Sequence, residues 1–257
     1  MKANVERVIH VHHWNDSLFT IRTTRNMGLR FRAGQFVMMG LQLDDADKPL
    51  MRAYSFVNAP YDDELEFYSI KVPDGPLTSR LQHIKIGDEV LVGLRPTGTL
   101  VLPTLLPGRN LYCLATGTGL APFMSIIRDP DTYERYENVI LVHGVRHVSD
   151  LGYHDMILNE LPEHPWVGEM VRQQLLYYPT VTREIFNTRG RITEQLASGQ
   201  LTRSLDLPDL ESGRDRVMLC GSPDMVRDLR AMLDERGFTM GTAASPGGYA
   251  YERAFAD

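Results

Sequence analysis

Up to about residue 101, apolar residues come in short alternating runs separated by Gly-, Pro- and Asp-rich pieces: VERVIHVHHW, LFTIRTT, QFVMMGLQL, YSFVN, LEFYSIKV and EVLVGL. Strands at this spacing predict an antiparallel barrel or sandwich. One helix interrupts them, LTSRLQHI behind Gly75 and Pro76, where Leu77, Leu81 and Ile84 recur at i, i+4 and i+7 and form one apolar face. From about residue 107 strands alternate with helices, the signature of a parallel sheet made of βαβ units. The strands expected there are NLYCLAT, NVILVHG, QQLLYYPTV and RVMLC, with helices after Gly119, Ser149, Thr193 and Pro223. SLDLPDLESGRD reads as a surface connection, and LVLPTLLPG as the joint between two domains, 1–101 and 102–257.

Composition narrows the function classes. The 257 residues carry 27 basic and 33 acidic side chains, a net charge of −6, which argues against a nucleic-acid binder that neutralises phosphates. Residues 1–101 hold 12 of each sign, so the excess acid lies in the second half, and the neutral first half crowds Arg22, Arg25, Arg30 and Arg32 together. Two cysteines, Cys113 and Cys220, cannot supply the four thiolates of an iron–sulfur cluster or a disulfide framework. No apolar run reaches membrane-span length and MKANVERVIH lacks a signal-peptide core, so a cytoplasmic, membrane-free setting is expected.

Several short motifs carry chemistry. In RAYS (Arg52, Ala53, Tyr54, Ser55) an arginine fork suited to phosphate stands beside a flat aromatic face, though a charged edge next to a core tyrosine has the same spelling. FYSIKV is followed by GPLTSRL, where a Gly-Pro turn opens a helix and leaves the amides of Leu77, Thr78 and Ser79 as an anion site or as an ordinary helix start. ATGTGLAPF lies between a strand and a helix. Gly117 and Gly119 there permit close backbone approach, and Pro122 falls in the first helical turn.

RAYS, FYSIKV, GPLTSRL, GTGLAPF, CGSPDM and the final YERAF, in this order and spacing, resemble the ferredoxin–NADP reductase family, in particular its bacterial ferredoxin (flavodoxin) subclass, over nearly the whole chain. The resemblance implies an N-terminal antiparallel Greek-key β-barrel for FAD and a C-terminal Rossmann-like α/β domain for NADP(H). Arg52 would hold the FAD diphosphate with the turn at Gly75, Leu77, Thr78 and Ser79. Tyr54 would stack on the flavin, Ser55 would bond near its N5, and Ala53, Tyr68, Ile70, Lys71 and Val72 would line it. Thr116, Gly117, Thr118, Gly119, Pro122 and Gly221 would underlie the pyrophosphate and nicotinamide. Arg146, Thr182, Arg183 and Arg191, with no acid in the ribose position, would select the 2′-phosphate. Cys220 resembles the cysteine beside the nicotinamide and Glu252 the carboxylate near the flavin, while a small core thiol and a surface acid are their plainer readings. Ala254 replaces the covering terminal aromatic of plastid members, and Phe255 would stack on the FAD adenine.

The implied reaction moves hydride between NADPH and flavin, and single electrons between flavin and ferredoxin or flavodoxin. With no cluster of its own, the chain needs such an external carrier, steered by the arginine group with Lys2 and Arg7. A monomer is expected. A free-standing oxygenase reductase component shares the same modules, and so does a flavin- and nucleotide-binding redox sensor without turnover.

Overall fold

The computed structural model describes residues 2–43 and 46–253. Alternating runs in the first half become six antiparallel strands: β1 (Ala3–His13), β2 (Leu18–Thr24), β3 (Phe36–Leu41), β4 (Leu50–Ser55), β5 (Glu64–Ile70) and β6 (Glu89–Gly93), with a helical turn α1 (Thr78–Leu81) between the last two. They form one sheet in the order β4-β3-β6-β1-β2-β5. The sheet curls so that its edge strands approach each other at a Phe56–Phe67 bridge and at a 3.2 Å contact between the Tyr54 and Ser69 hydroxyls. Phe19, Ile21, Val37, Met39, Phe67, Leu81 and Val92 fill this barrel.

The second half is a parallel sheet with strands β7 (Asn110–Thr116), β8 (Asn138–Val145), β9 (Leu175–Val181), β10 (Asp215–Gly221) and β11 (Tyr249–Arg253), in the order β11-β10-β7-β8-β9. Its helices are α2 (Ala121–Ile127), α3 (Pro130–Arg135), α4 (Gly168–Gln174), α5 (Ile192–Ala197), α6 (Gln200–Ser204) and α7 (Pro223–Glu235). The middle strand β7 is apolar almost throughout because both of its faces are covered. Tyr112 and Leu114 pack into one layer with Leu219 and Leu229. Leu111, Cys113 and Ala115 face the other layer, which includes the barrel residues Leu18, Val57, Tyr68 and Leu100. The two halves thus share a hydrophobic core.

The sequence expectations need five adjustments. Strand β4 starts at Leu50, upstream of YSFVN, and β9 starts at Leu175 because Gln173 and Gln174 end α4. The helix behind Gly75 is a single α-turn prolonged by i→i+3 bonds from His83 and Ile84. The segment after Ser149 is helical but irregular, with a 3₁₀ turn at 148–150, a π-helical stretch at 156–160 and a 3₁₀ turn at 161–163, and regular helix follows only in α4. Finally, a short α3 follows α2, its Asp129 cap accepting the Asp131 amide at 3.2 Å.

Candidate functional site

Strand order reverses between β7 and β10, and in open α/β sheets ligands bind at the carboxyl ends of the strands at such a switch. Here Thr116 ends β7, while Cys220 and Gly221 end β10. The barrel faces this point, and between the halves lies a cleft of about 670 Å³, within the range of small-molecule sites. Arg52, Ala53, Tyr54, Ser55, Tyr68, Ile70, Val72, Gly75, Leu77 and Thr78 line it from the barrel; Thr118, Cys220 and Glu252 line it from the α/β half. Ser69, Pro76, Ala121, Tyr251 and Arg253 also line the cleft, unassigned members of the quoted motifs, while Phe36 lies outside every motif. Lys71 does not join them, since its Nζ donates to the Asn15 carbonyl at 3.0 Å.

On the barrel side, Tyr54 is held by its hydroxyl against Ser69 and by an edge contact to Phe67, ring centroids 6.2 Å apart. Burial raises its phenol above the ordinary value. The Tyr68 hydroxyl lies against Gly152, where a Cβ would come within 2.5 Å of it, so a glycine is required there. Arg52 is exposed, bonds only its neighbour's carbonyl (Met51, 2.9 Å), and has no ion pair among the described residues. The Ser79 amide is not free as expected: it donates to the Gly75 carbonyl at 3.1 Å. The amides of Leu77 and Thr78 have no backbone acceptor among the described residues and stay available at the cleft. Thr78 closes this turn by donating to the Val72 carbonyl at 3.2 Å, and a Cβ on Gly75 would collide with its Oγ1.

On the opposite wall Gly119 behaves differently from expectation. A Cβ there would lie 2.3 Å from the Cys220 carbonyl, so the close approach it permits is to β10 and not to a ligand. Gly117 has φ +54° and open space around its missing Cβ, which leaves the turn's surface free. Beneath it the buried His143 of β8 contacts the Gly117 carbonyl through Nε2 at 3.1 Å. Thr116 accepts the Ser222 amide at 2.9 Å and ties the GTG turn to the CGS turn. Pro122 occupies the first turn of α2 as expected.

Glu252 is fixed from the barrel. The Thr99 amide donates to its Oε1 at 2.5 Å and the Thr99 hydroxyl at 3.3 Å, and only a glycine at position 98 leaves room for that oxygen. Burial raises its carboxyl above the ordinary range, although these donors work the other way. Cys220 is opposite Glu252 in the β10–β11 register; burial first, and then the neighbouring carboxylate, push its thiol up, so it is no ready nucleophile.

Beyond the cleft, Arg146, Arg183 and Arg191 are exposed at the carboxyl ends of β8 and β9 and the start of α5, without ion pairs among the described residues. Thr182 is spent on the Val145 carbonyl at 3.1 Å. A carboxylate does stand near them, Glu184, but His147 Nδ1 at 2.8 Å and the Val148 amide at 3.0 Å occupy it. The arginine group on the barrel is smaller than its sequence suggests. Arg22 pairs with Glu64, and Arg25 caps the carbonyls of Leu29 and Pro60 while lying over Phe31, which leaves Arg30 and Arg32 exposed. Ala254 and Phe255 lie outside the described residues.

A flavin dinucleotide fits these donors: unspent amides and an unpaired arginine for a diphosphate, and an aromatic-lined cavity for a ring system. A second phosphate-bearing ligand fits the open Gly117 turn and the unpaired arginines beyond it. Comparisons with known proteins agree. The oxidoreductase FAD-binding domain family matches residues 4–100, and the oxidoreductase NAD-binding domain family matches residues 113–231. The chain is 57% identical to a ferredoxin–NADP reductase of Pseudomonas aeruginosa, covering 98% of this chain and 97% of that one. It is 49% identical to a flavodoxin/ferredoxin–NADP reductase of Rhodobacter capsulatus, covering 98% and 93%. Among solved structures, a Neisseria gonorrhoeae ferredoxin NADP+ reductase with bound FAD and NADP superposes with a TM-score of 0.89 at 31% identity, covering 99% of this chain and all of that one. Barrel, switch-point cleft and relatives together lead to one assignment: the chain belongs to the bacterial ferredoxin–NADP reductase family.

Proposed function

We propose that the protein is an FAD-dependent oxidoreductase that exchanges hydride with NADPH and single electrons with ferredoxin or flavodoxin. The observation that carries this reading is the cleft itself, where Tyr54 and Ser55 from one domain meet Thr118, Cys220 and Glu252 from the other. Bound FAD supplies the conversion between a two-electron hydride donor and a one-electron carrier. The chain's part is to bind, align and exclude water.

In this reading Arg52 and the amides of Leu77 and Thr78 hold the FAD diphosphate, and Tyr54 lies against the ring. Ser55 offers a hydroxyl at the reactive edge. The GTG turn carries the pyrophosphate of NADPH, and Arg146, Arg183 and Arg191 receive its 2′-phosphate. Cys220, small and un-ionised, packs at the transfer point, and Glu252 stands in the cleft as the group to relay a proton or polarise the ring. The domain boundary at 101/102 is supported by the strand pattern, although Glu252 of the second domain is anchored on Thr99 of the first. Two free buried cysteines suit a reducing, cytoplasmic setting, and the two-domain plan suits a monomer. Of the barrel cations that the sequence singles out, Arg30, Arg32, Lys2 and Arg7 are exposed and without a salt bridge among the described residues, and they would steer an acidic carrier.

Mixing the yellow holoprotein with NADPH in air-free buffer tests the reaction. Bleaching of the flavin, followed by reduction of added ferredoxin or flavodoxin, is expected. An oxidised spectrum that persists would instead identify a redox sensor.

A further inference from the structure

Helix α2 joins the two halves end to end. Its first residue, Ala121, borders the cleft directly after the GTG turn, and its last turn is gripped by the barrel. Ser125 donates its hydroxyl to the Asn58 carbonyl at 2.7 Å. The C-cap residue Arg128 donates to the Val57 carbonyl at 3.3 Å and pairs with Glu66 at 2.8 Å, while Tyr61 donates to the Arg128 carbonyl at 2.7 Å. The other oxygen of Glu66 accepts from Tyr153 at 3.0 Å, and Tyr153 is bonded in turn to Thr20 (2.7 Å) and Thr20 to Trp14 (2.8 Å). Every link is at least partly buried; the Arg128 and Glu66 side chains are 16% and 14% exposed.

The grip falls on particular barrel residues. Val57 and Asn58 follow Ser55 by two and three positions, and Glu66 precedes Tyr68 by two, so the segments that hold α2 are continuous with those that line the cleft. We propose that α2 is a strut setting the separation of the two cofactor-binding walls, with Glu66, Arg128 and Ser125 as positioning residues for hydride transfer. This rests on the NADPH–flavin reading above.

A packed apolar contact would hold the domains together at least as firmly as a buried ion pair, which contributes little net stability. It would not fix the angle and register of the helix, whereas directional bonds at Val57, Asn58 and Glu66 do. Hydride transfer requires reacting atoms about 3–3.5 Å apart, and misplacement by about 1 Å can cost on the order of a hundredfold. Seven helical residues span only about 10 Å, so a tilt at one end reaches the other.

The test uses FAD-loaded Arg128→Leu, Glu66→Gln and Ser125→Ala proteins, the last removing one hydroxyl if the first two fold poorly. Stopped-flow reduction by NADPH gives the limiting rate per bound flavin and the Kd. Spin labels at Lys85→Cys and Glu235→Cys, one on each half, give the distance distribution between domains. The limiting rate is expected to fall about tenfold or more with the Kd for NADPH unchanged within about twofold, and the distance distribution to broaden. An unchanged rate per bound flavin, whatever happens to melting temperature, overturns the proposal, as does a distribution as narrow as in the parent. The label distances do not depend on turnover, so a parent protein that NADPH fails to reduce would defeat the functional reading and leave the strut still testable.

Discussion

His143 and Gly117 are bonded across the sheet, with the imidazole Nε2 3.1 Å from the glycine carbonyl. A carbonyl only accepts, so Nε2 carries the proton and donates, and Nδ1 is a bare acceptor, buried without a partner among the described residues. Burial lowers the imidazole from 6.5 to about 4. The neutral ring is thus part of what holds the GTG turn at its positive φ.

The consequence is acid sensitivity. In the unfolded chain His143 takes a proton below about 6.5, while the fold refuses it until about 4. The stability from the neutral ring is complete above 6.5 and drains away as pH falls toward 4, by about 3 kcal/mol in total. Denaturant titrations from pH 8 to 4 should show this loss, and His143→Gln, which keeps a donor but cannot titrate, should flatten it. His143→Leu should also raise the KM for NADPH, because the turn loses its tether.

This histidine shows where the sequence was legible and where it was not. NVILVHG reads as a buried strand, and a buried strand it is, but nothing local shows that residue 143 stands opposite Ala115 in the β7–β8 register and beneath the next turn. Phe36 is hidden in the same way, since it lies in no motif and is placed by its pairing with Thr97 and Ser55. Tyr54, Ser55 and Cys220 are legible because each sits in a short motif whose neighbours reach the same cleft. Where expectations were adjusted, a local rule met a tertiary one: Gly119 makes room for β10, Arg25 caps carbonyls, and the helical stretch after Ser149 runs as 3₁₀ and π turns before α4.

Cofactor choice follows from the arginines beyond the cleft. Charge-assisted hydrogen bonds to phosphate are worth about 1.5–3 kcal/mol each. Arg183 and Arg191 are exposed, with Glu184 already committed to His147 and Val148. Arg183→Ala with Arg191→Ala should therefore raise the KM for NADPH by about tenfold to a hundredfold and leave that for NADH nearly unchanged. Steady-state kinetics with both nucleotides decide the matter; equal losses would place the 2′-phosphate elsewhere.

Glu252 gives the last prediction, and its sign is opposite to that of His143. Burial raises its carboxyl above the ordinary 4.5. A raised carboxyl favours the fold while it is protonated, so its contribution is complete below 4.5 and is lost as pH rises through the folded-state value. Glu252→Gln keeps an oxygen for the Thr99 amide and removes the ionisation, so its melting temperature should match the parent's in acid and exceed it at pH 8. If the carboxyl also holds a proton needed at the cleft, the variant should keep its flavin and lose turnover about tenfold or more, together with the parent's pH inflection. Retention of FAD with full turnover across the pH range would confine Glu252 to anchoring β11 on Thr99.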